Sequence, residues 1–252
     1  MKRILIASIL CAAAGILAAQ QTTAAPDFGG MLRQIDSWSR VSETDFSSVV
    51  TVISEDPEEG KLTRRVQMYH RDAEDLLTMV TLEPEVQRGQ AHLRKGDSIW
   101  SYDPQTRQFT HVTRGESYQG TTARNADFYA FSFASDYRIT GTSEGTLGKL
   151  GCWILDLEGL RDDVAYPFIR MWIDKSSGLL LKLEDYSLSR RLMRTLYYTQ
   201  YTRAEGHVLP VRTVMVDEVT PGRRTQLDMA NVSFAELPDY VFTQAYIERL
   251  AR

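Results

Sequence analysis

The side chains that could do chemistry are few and scattered. Four histidines, His70, His92, His111 and His207, have no second ligand at metal-binding spacing, and neither H-E-x-x-H nor C-x-x-C occurs. Zinc needs three or four such groups converging on one point, so these histidines read as strand residues. G-x-S-x-G, Walker and dinucleotide signatures are also absent. Asp162-Asp163 and the run Glu55-Asp56-Pro57-Glu58-Glu59 lack the alternating ligands of a calcium loop and read as solvated turn charges. Of the two cysteines, Cys11 follows Ser8-Ile9-Leu10, where lipid attachment wants a small residue in place of the leucine. Cys11 is therefore expected to stay unmodified, and Cys152 to be a buried thiol without a disulfide partner. No cofactor, no metal and no catalytic constellation is expected.

The chemistry that remains is apolar. Trp100, Trp153, Trp172 and Phe109 lie in separate stretches, and Phe128, Phe131 and Phe133 crowd one short segment. Core packing uses most such rings in any domain. A cavity that holds a lipid uses the same residue types, so all of these are candidate ligand-binding residues, either as cavity lining or as a lid.

The elements that must position them follow from periodicity. Met31, Leu32, Ile35 and Trp38 recur at helical spacing and predict one short amphipathic helix. The period then becomes two. Phe46–Ser54, Leu62–His70 and Leu76–Leu82 read as strands, followed by short ones at Ala91–Leu93, Ile99–Tyr102 and Phe109–Thr113. Residues 121–136 break the alternation and read as a helix or loop. Strands resume at Cys152–Glu158, Phe168–Asp174, Leu179–Tyr186, Leu192–Thr202, Val211–Glu218 and Arg223–Val232. Lys175-Ser176-Ser177-Gly178 and Pro221-Gly222 are hairpin turns. A last helix is expected from Leu237-Pro238-Asp239 onward, with Phe242, Ile247 and Leu250. About eleven strands in near-continuous antiparallel order cannot stay flat and must curl, split or close. Phe168–Ile173 and Leu179–Tyr186 are partly apolar on both faces, so both faces are expected to be covered.

The ends and the charge set the compartment. Lys2 and Arg3, an apolar run from Ile4 to Ala19 and a small-residue exit predict a secretory signal peptide over residues 1–25, cleaved between 19 and 25. The apolar run is too short to span a membrane. The rest, 26–252, reads as one soluble domain in the periplasm. Without Lys2 and Arg3 the chain has 27 basic against 33 acidic residues, which argues against a nucleic-acid partner.

Ordered short motifs add a resemblance. They run from Glu83-Pro84 through Arg88-Gly89-Gln90-Ala91-His92-Leu93 to Ile99-Trp100-Ser101-Tyr102-Asp103-Pro104. Ser135-Asp136-Tyr137, Met171-Trp172-Ile173-Asp174, Leu237-Pro238-Asp239 and Phe242-Thr243 continue the series to about residue 250. In this order they resemble the outer-membrane lipoprotein-sorting proteins of the LolA-like superfamily. The resemblance implies a mainly β fold with a few helices: a strongly curved, incomplete antiparallel β-barrel closed by helices over a hydrophobic cavity. It implies a non-enzymatic carrier of a lipid or an acylated lipoprotein, working toward the outer membrane, with an inner-membrane RND-type exporter as a further partner. The alternative it offers is a lipoprotein-sensing regulatory protein of the envelope. An enzyme acting on a lipid or glycan is the least favoured class.

Overall fold

Alternation builds most of this chain. In β1, Phe46–Asp56, the side chains of Phe46, Ser48, Val50 and Val52 are buried while their neighbours are half-exposed. β-Branched residues suit such a half-buried pleated surface. The computed structural model describes residues 26–41 and 44–250, and the expected signal peptide lies outside them. α1, Phe28–Ser39, precedes β1; its first turn is capped by Asp27, which accepts from the Gly30 N–H at 2.8 Å.

After β1 come β2 (Gly60–Arg71), β3 (Leu76–Glu83), β4 (Ala91–Lys95), β5 (Ser98–Asp103) and β6 (Gln108–Val112). The later strands are β7 (Tyr137–Leu147), β8 (Leu150–Gly159), β9 (Phe168–Asp174), β10 (Leu180–Tyr186), β11 (Leu192–Ala204), β12 (His207–Asp217) and β13 (Arg224–Ser233). Between β6 and β7 stand a 3-10 turn, Asn125–Phe128, and a one-turn helix, α2, Phe133–Asp136. All described strands join one antiparallel sheet of thirteen, ordered β6-β5-β4-β3-β2-β1-β13-β12-β11-β10-β9-β8-β7. The sheet is open and curved.

The sheet has thirteen strands: the twelve stretches read from the sequence all form strands, and β7, which escaped that reading, adds one. Its residues Arg138, Thr140, Thr142, Ser143 and Glu144 are polar, and Gly141 and Gly145 interrupt it. As an edge strand it buries little, so no apolar face announces it. The order has one long jump. β6 and β7 are successive in the chain yet form opposite edges of the sheet, so residues 113–136 run from one edge to the other.

Turn chemistry pins the hairpins. Asp56 Oδ1 accepts from the Glu58 and Glu59 N–H groups at 2.8 and 3.1 Å, and Gly60, at φ 81°, completes that turn. The expected turn between β9 and β10 holds in the same way: Asp174 Oδ2 accepts from the Ser177 N–H at 2.9 Å, and Gly178 sits at φ 73°.

The main core lies on the concave side, where Leu32 and Ile35 of α1 meet Val50, Met68, Leu155, Met171, Leu183, Leu196 and Met215. A smaller cluster forms on the other side, where Ile247 covers Val80, Ala91, Leu93 and Tyr102. The C-terminal helix is divided: a 3-10 turn, Asp239–Phe242, precedes α3, Gln244–Leu250. The Thr243 hydroxyl accepts from the Tyr246 N–H at 3.2 Å between them. Phe242 and Ile247 are buried, while Leu250 is exposed, because a helix this short turns its last residue past the sheet. Arg71 holds the segment down, bonding Asp45, Asp239 and the Leu237 carbonyl. The double covering expected for β9 and β10 is found instead at β3–β5. Outside β9 and β10 the half-buried rings of Phe168 and Trp172 are roofed by Arg190 and Lys182, at 3.3 and 4.2 Å from the ring centroids.

Candidate functional site

Between the concave face and the 113–136 segment lies a cavity of about 170 Å³. Its sheet wall includes Met68 of β2, Leu183 of β10, Leu196 of β11, Met215 of β12 and Leu227 of β13. The facing wall is Phe128, Phe131 and Phe133. The Phe131 and Phe133 ring centroids are 5.1 Å apart, and Phe131 meets Tyr198 edge-on at 5.8 Å. Phe128 is buried against Tyr118 at 4.6 Å, whereas Phe131 is only partly buried.

The 113–136 segment is fixed from two sides. On the α1 side, Asp36 accepts from the N–H groups of Phe133 and Ala134 at 2.9 and 2.7 Å, and Ser39 Oγ accepts from the Phe131 N–H at 2.8 Å. Burial raises the Asp36 carboxyl above its ordinary value in spite of these donors. On the sheet side, Arg194 of β11 donates to both oxygens of Asp127 at 2.6 and 2.8 Å, to Asp185 of β10 through Nε, and to the Thr122 carbonyl at 3.2 Å. The Tyr166 ring lies 4.9 Å from the guanidinium carbon. Two carboxylates thus share one guanidinium. Loss of water pushes the buried Asp185 carboxyl up to about 6 against the pull of Arg194, and the nearby Asp127 adds repulsion. Burial alone would lower the Arg194 value, but Asp127 and Asp185 outweigh it and hold the guanidinium charged.

A second polar spot on the lining is Asp72, 3.5 Å from His70 Nδ1 and accepting from the Val41 N–H at 2.9 Å. Burial pushes its carboxyl up, yet the His70 contact prevails and leaves it below the ordinary value. Among the described residues, no cluster of three His, Cys, Asp or Glu groups is placed to hold a metal ion, and no helix is long and apolar enough to cross a membrane.

Of the candidate rings, Phe128, Phe131 and Phe133 meet at this cavity, while Trp100, Phe109, Trp153 and Trp172 do not line it. Trp172 alternates with Met171 and Ile173, which point inward, so its indole faces outward. Trp100 and Phe109 belong to the outer cluster with Ile247. Trp153 shares the inward parity of Leu155 but stands toward the strand end, edge-on to Phe28 at 5.5 Å and under Lys175 at 4.0 Å. Strand parity decides Trp100, Phe109 and Trp172; position along the strand decides Trp153. The sequence reading missed Asp127, Asp185, Arg194 and Tyr198. One signal was available: Arg194 is in register with Leu196 and Tyr198, a charge on an otherwise apolar strand face.

No curated protein matches the sequence at a significant level. A family model described as "-like: Uncharacterized protein" matches residues 73–249. A LolA superfamily protein from Nitrosomonas europaea superposes with a TM-score of 0.74 at 25% identity, covering 86% of this chain and 97% of its own. The chain belongs to the family of that model and has the LolA-like fold. Two further structures share the LolA-like fold at lower identity. A domain assigned to the outer membrane lipoprotein-sorting proteins, from Vibrio parahaemolyticus, gives a TM-score of 0.76 at 18% identity over 86% of this chain and 97% of its own. A DUF1329 family protein from Desulfovibrio piger gives 0.75 at 19% identity over 87% and 97%.

Proposed function

We propose that this LolA-like chain is a non-enzymatic periplasmic protein that binds an acyl chain, of a lipid or an acylated lipoprotein, and carries it toward the outer membrane. The observation that carries this reading is the apolar cavity lying between the concave sheet and the segment that joins its two edges. Each methylene withdrawn from water is worth about 0.8 kcal/mol, enough for a dry cavity to retain a chain. At about 170 Å³ the cavity matches one that takes a single benzene ring, roughly 150 Å³ in an engineered protein. A long acyl chain therefore requires the 113–136 segment to move aside, which makes that segment a lid and Phe131 its ligand mimic. The signal peptide over residues 1–25 serves export, and an RND-type inner-membrane exporter is the partner that would supply the lipid. Titration with a fluorescent fatty acid tests the reading, with Phe131→Asp as the variant. Wild-type binding that is lost in the variant while circular dichroism keeps the β signal supports it. Absence of wild-type binding, or collapse of the variant's sheet, overturns the lid.

A further inference from the structure

A second pocket, of about 190 Å³ and polar, lies between the β1–β2 turn, residues 119–122 and the start of β13. Most of its charges are matched. Arg224 pairs with Glu55 at 2.6 Å, Lys61 with Glu55 at 3.5 Å, and Arg223 Nε with Asp56 at 2.6 Å. Arg64 is different. It is 6% exposed, and no carboxylate lies within ion-pair distance of it among the described residues. Its Nε donates to Gln87 Oε1 at 2.6 Å and Nη2 reaches the Gln119 carbonyl at 3.5 Å, but Nη1 is buried and finds no acceptor in the protein. The hydroxyl of Thr122, buried in the same lining, is also without a partner. Arg194, the other buried guanidinium among the described residues, has two carboxylates.

A charge taken out of water without a counter-charge is among the least favourable arrangements in a protein, and folds keep it where an anion completes it. The unmatched donors here belong to a planar guanidinium fork and a hydroxyl, with Lys61, Arg223 and Arg224 at the rim. A guanidinium meets a group bearing several anionic oxygens best, since its N–H vectors then find separate acceptors. We propose that this pocket is an anion site in which Arg64 and the Thr122 hydroxyl bind a phosphate group. The Glu59 carboxylate, also on the lining, acts on Arg64 through space without bonding it, so Nη1 keeps its free N–H groups while an entering anion must outweigh that one negative charge. Thr122 connects the pocket to the apolar cavity, because its carbonyl accepts from Arg194 there. The anion site requires no acyl chain in that cavity.

The test is calorimetric titration of the protein, purified after expression of the full chain, with inorganic phosphate and with phosphatidylglycerol or phosphatidylcholine vesicles at constant ionic strength. Saturable binding of inorganic phosphate supports the site and assigns it to a free anion. Binding of phosphatidylglycerol vesicles alone, sensitive to the same substitutions, supports it and assigns it to a lipid headgroup. In either case Arg64→Met is expected to weaken binding at least about tenfold, with Arg64→Lys restoring part of it. Thr122→Val, which removes a hydroxyl that bonds nothing in the protein, is expected to weaken binding about threefold and keeps the test open if Arg64→Met does not fold. Binding of neither probe, or equal binding by wild type and both Arg64→Met and Thr122→Val, overturns the proposal. A fatty-acid titration of Arg64→Met separates this from the acyl reading, since the apolar cavity does not include Arg64.

Discussion

Arg194 shows how much one side chain can hold. Removing it leaves Asp127 and Asp185 buried side by side, and breaking a buried pair in this way costs about 3–5 kcal/mol. Arg194→Met is therefore expected to lower the urea midpoint far more than Asp127→Asn, which leaves a balanced one-to-one pair of Arg194 and Asp185. The pH dependence should follow. Asp185 has a folded value of about 6, above the 3.8 of a free carboxyl, so its contribution is present below 3.8 and is lost as pH rises through 6. Asp127→Asn takes away the repulsion and should shrink that loss. His92 acts in the opposite sense. Desolvation beneath Tyr118 depresses its imidazole from 6.5 to about 4, so the unfolded chain takes up its proton first as the solution is acidified. The stability it carries is present above 6.5 and is lost as pH falls toward 4. In urea melts, wild type is expected to lose roughly 2 kcal/mol more stability than His92→Leu between about pH 7 and about pH 5. Equal pH dependence would remove His92 from this account.

At the scale of elements, the 113–136 segment is held to α1 by few bonds and to the sheet by a charged one. Asp36 satisfies two N–H groups at the start of α2, and leaving them unpaired costs about 1–3 kcal/mol each when buried, less where water reaches them. Asp36→Ala is expected to speed hydrogen exchange at Phe131, Phe133 and Ala134 while β1, β2 and β11–β13 keep their protection. Uniform acceleration across the sheet would mean that the segment belongs to the global folding unit and is not a separable lid. Placement of the rings also decides which probe can report on it. The native tryptophans do not line the cavity, so their emission is a poor sensor of ligand, whereas Phe131→Trp puts an indole at its wall. An acyl ligand is expected to change the emission of that variant and leave the wild-type spectrum nearly unaltered.

For the whole molecule the governing fact is an open sheet whose two edges are joined by one stretch of chain. Leaving the concave face bare would expose its apolar lining to water, and leaving both edges far apart would leave nothing to cover it. A peptide strap avoids both. If the strap yields to an acyl chain, affinity should rise about fourfold for each methylene added to a fatty acid, the equivalent of 0.8 kcal/mol, until the chain exceeds the space beneath it. A flat response across a series of chain lengths would show that the chain is not buried. A series that never saturates would point to partition into aggregates.

What the sequence determined was local. The two-residue alternation of Phe46–Asp56 and its successors, the Asp-capped turns with Gly60 and Gly178, and the helical spacing of Leu32 and Ile35 each require only neighbours in the chain, so these elements were legible within a few residues. So was the ordered series of motifs that carried the resemblance to the LolA-like proteins. β7 was not legible, because an edge strand need not have an apolar face. Nor was the identity of the rings at the cavity: Trp172 and Met171 are adjacent in sequence and point to opposite faces, and only sheet register with strap placement says which face is inner. The meeting of Asp127, Asp185 and Arg194 depends on residues 58 and 67 positions apart or 9 apart on neighbouring strands, as the sheet happens to curl. Tertiary structure decided these because burial, unlike periodicity, is a property of what packs across from a residue and not of what stands beside it.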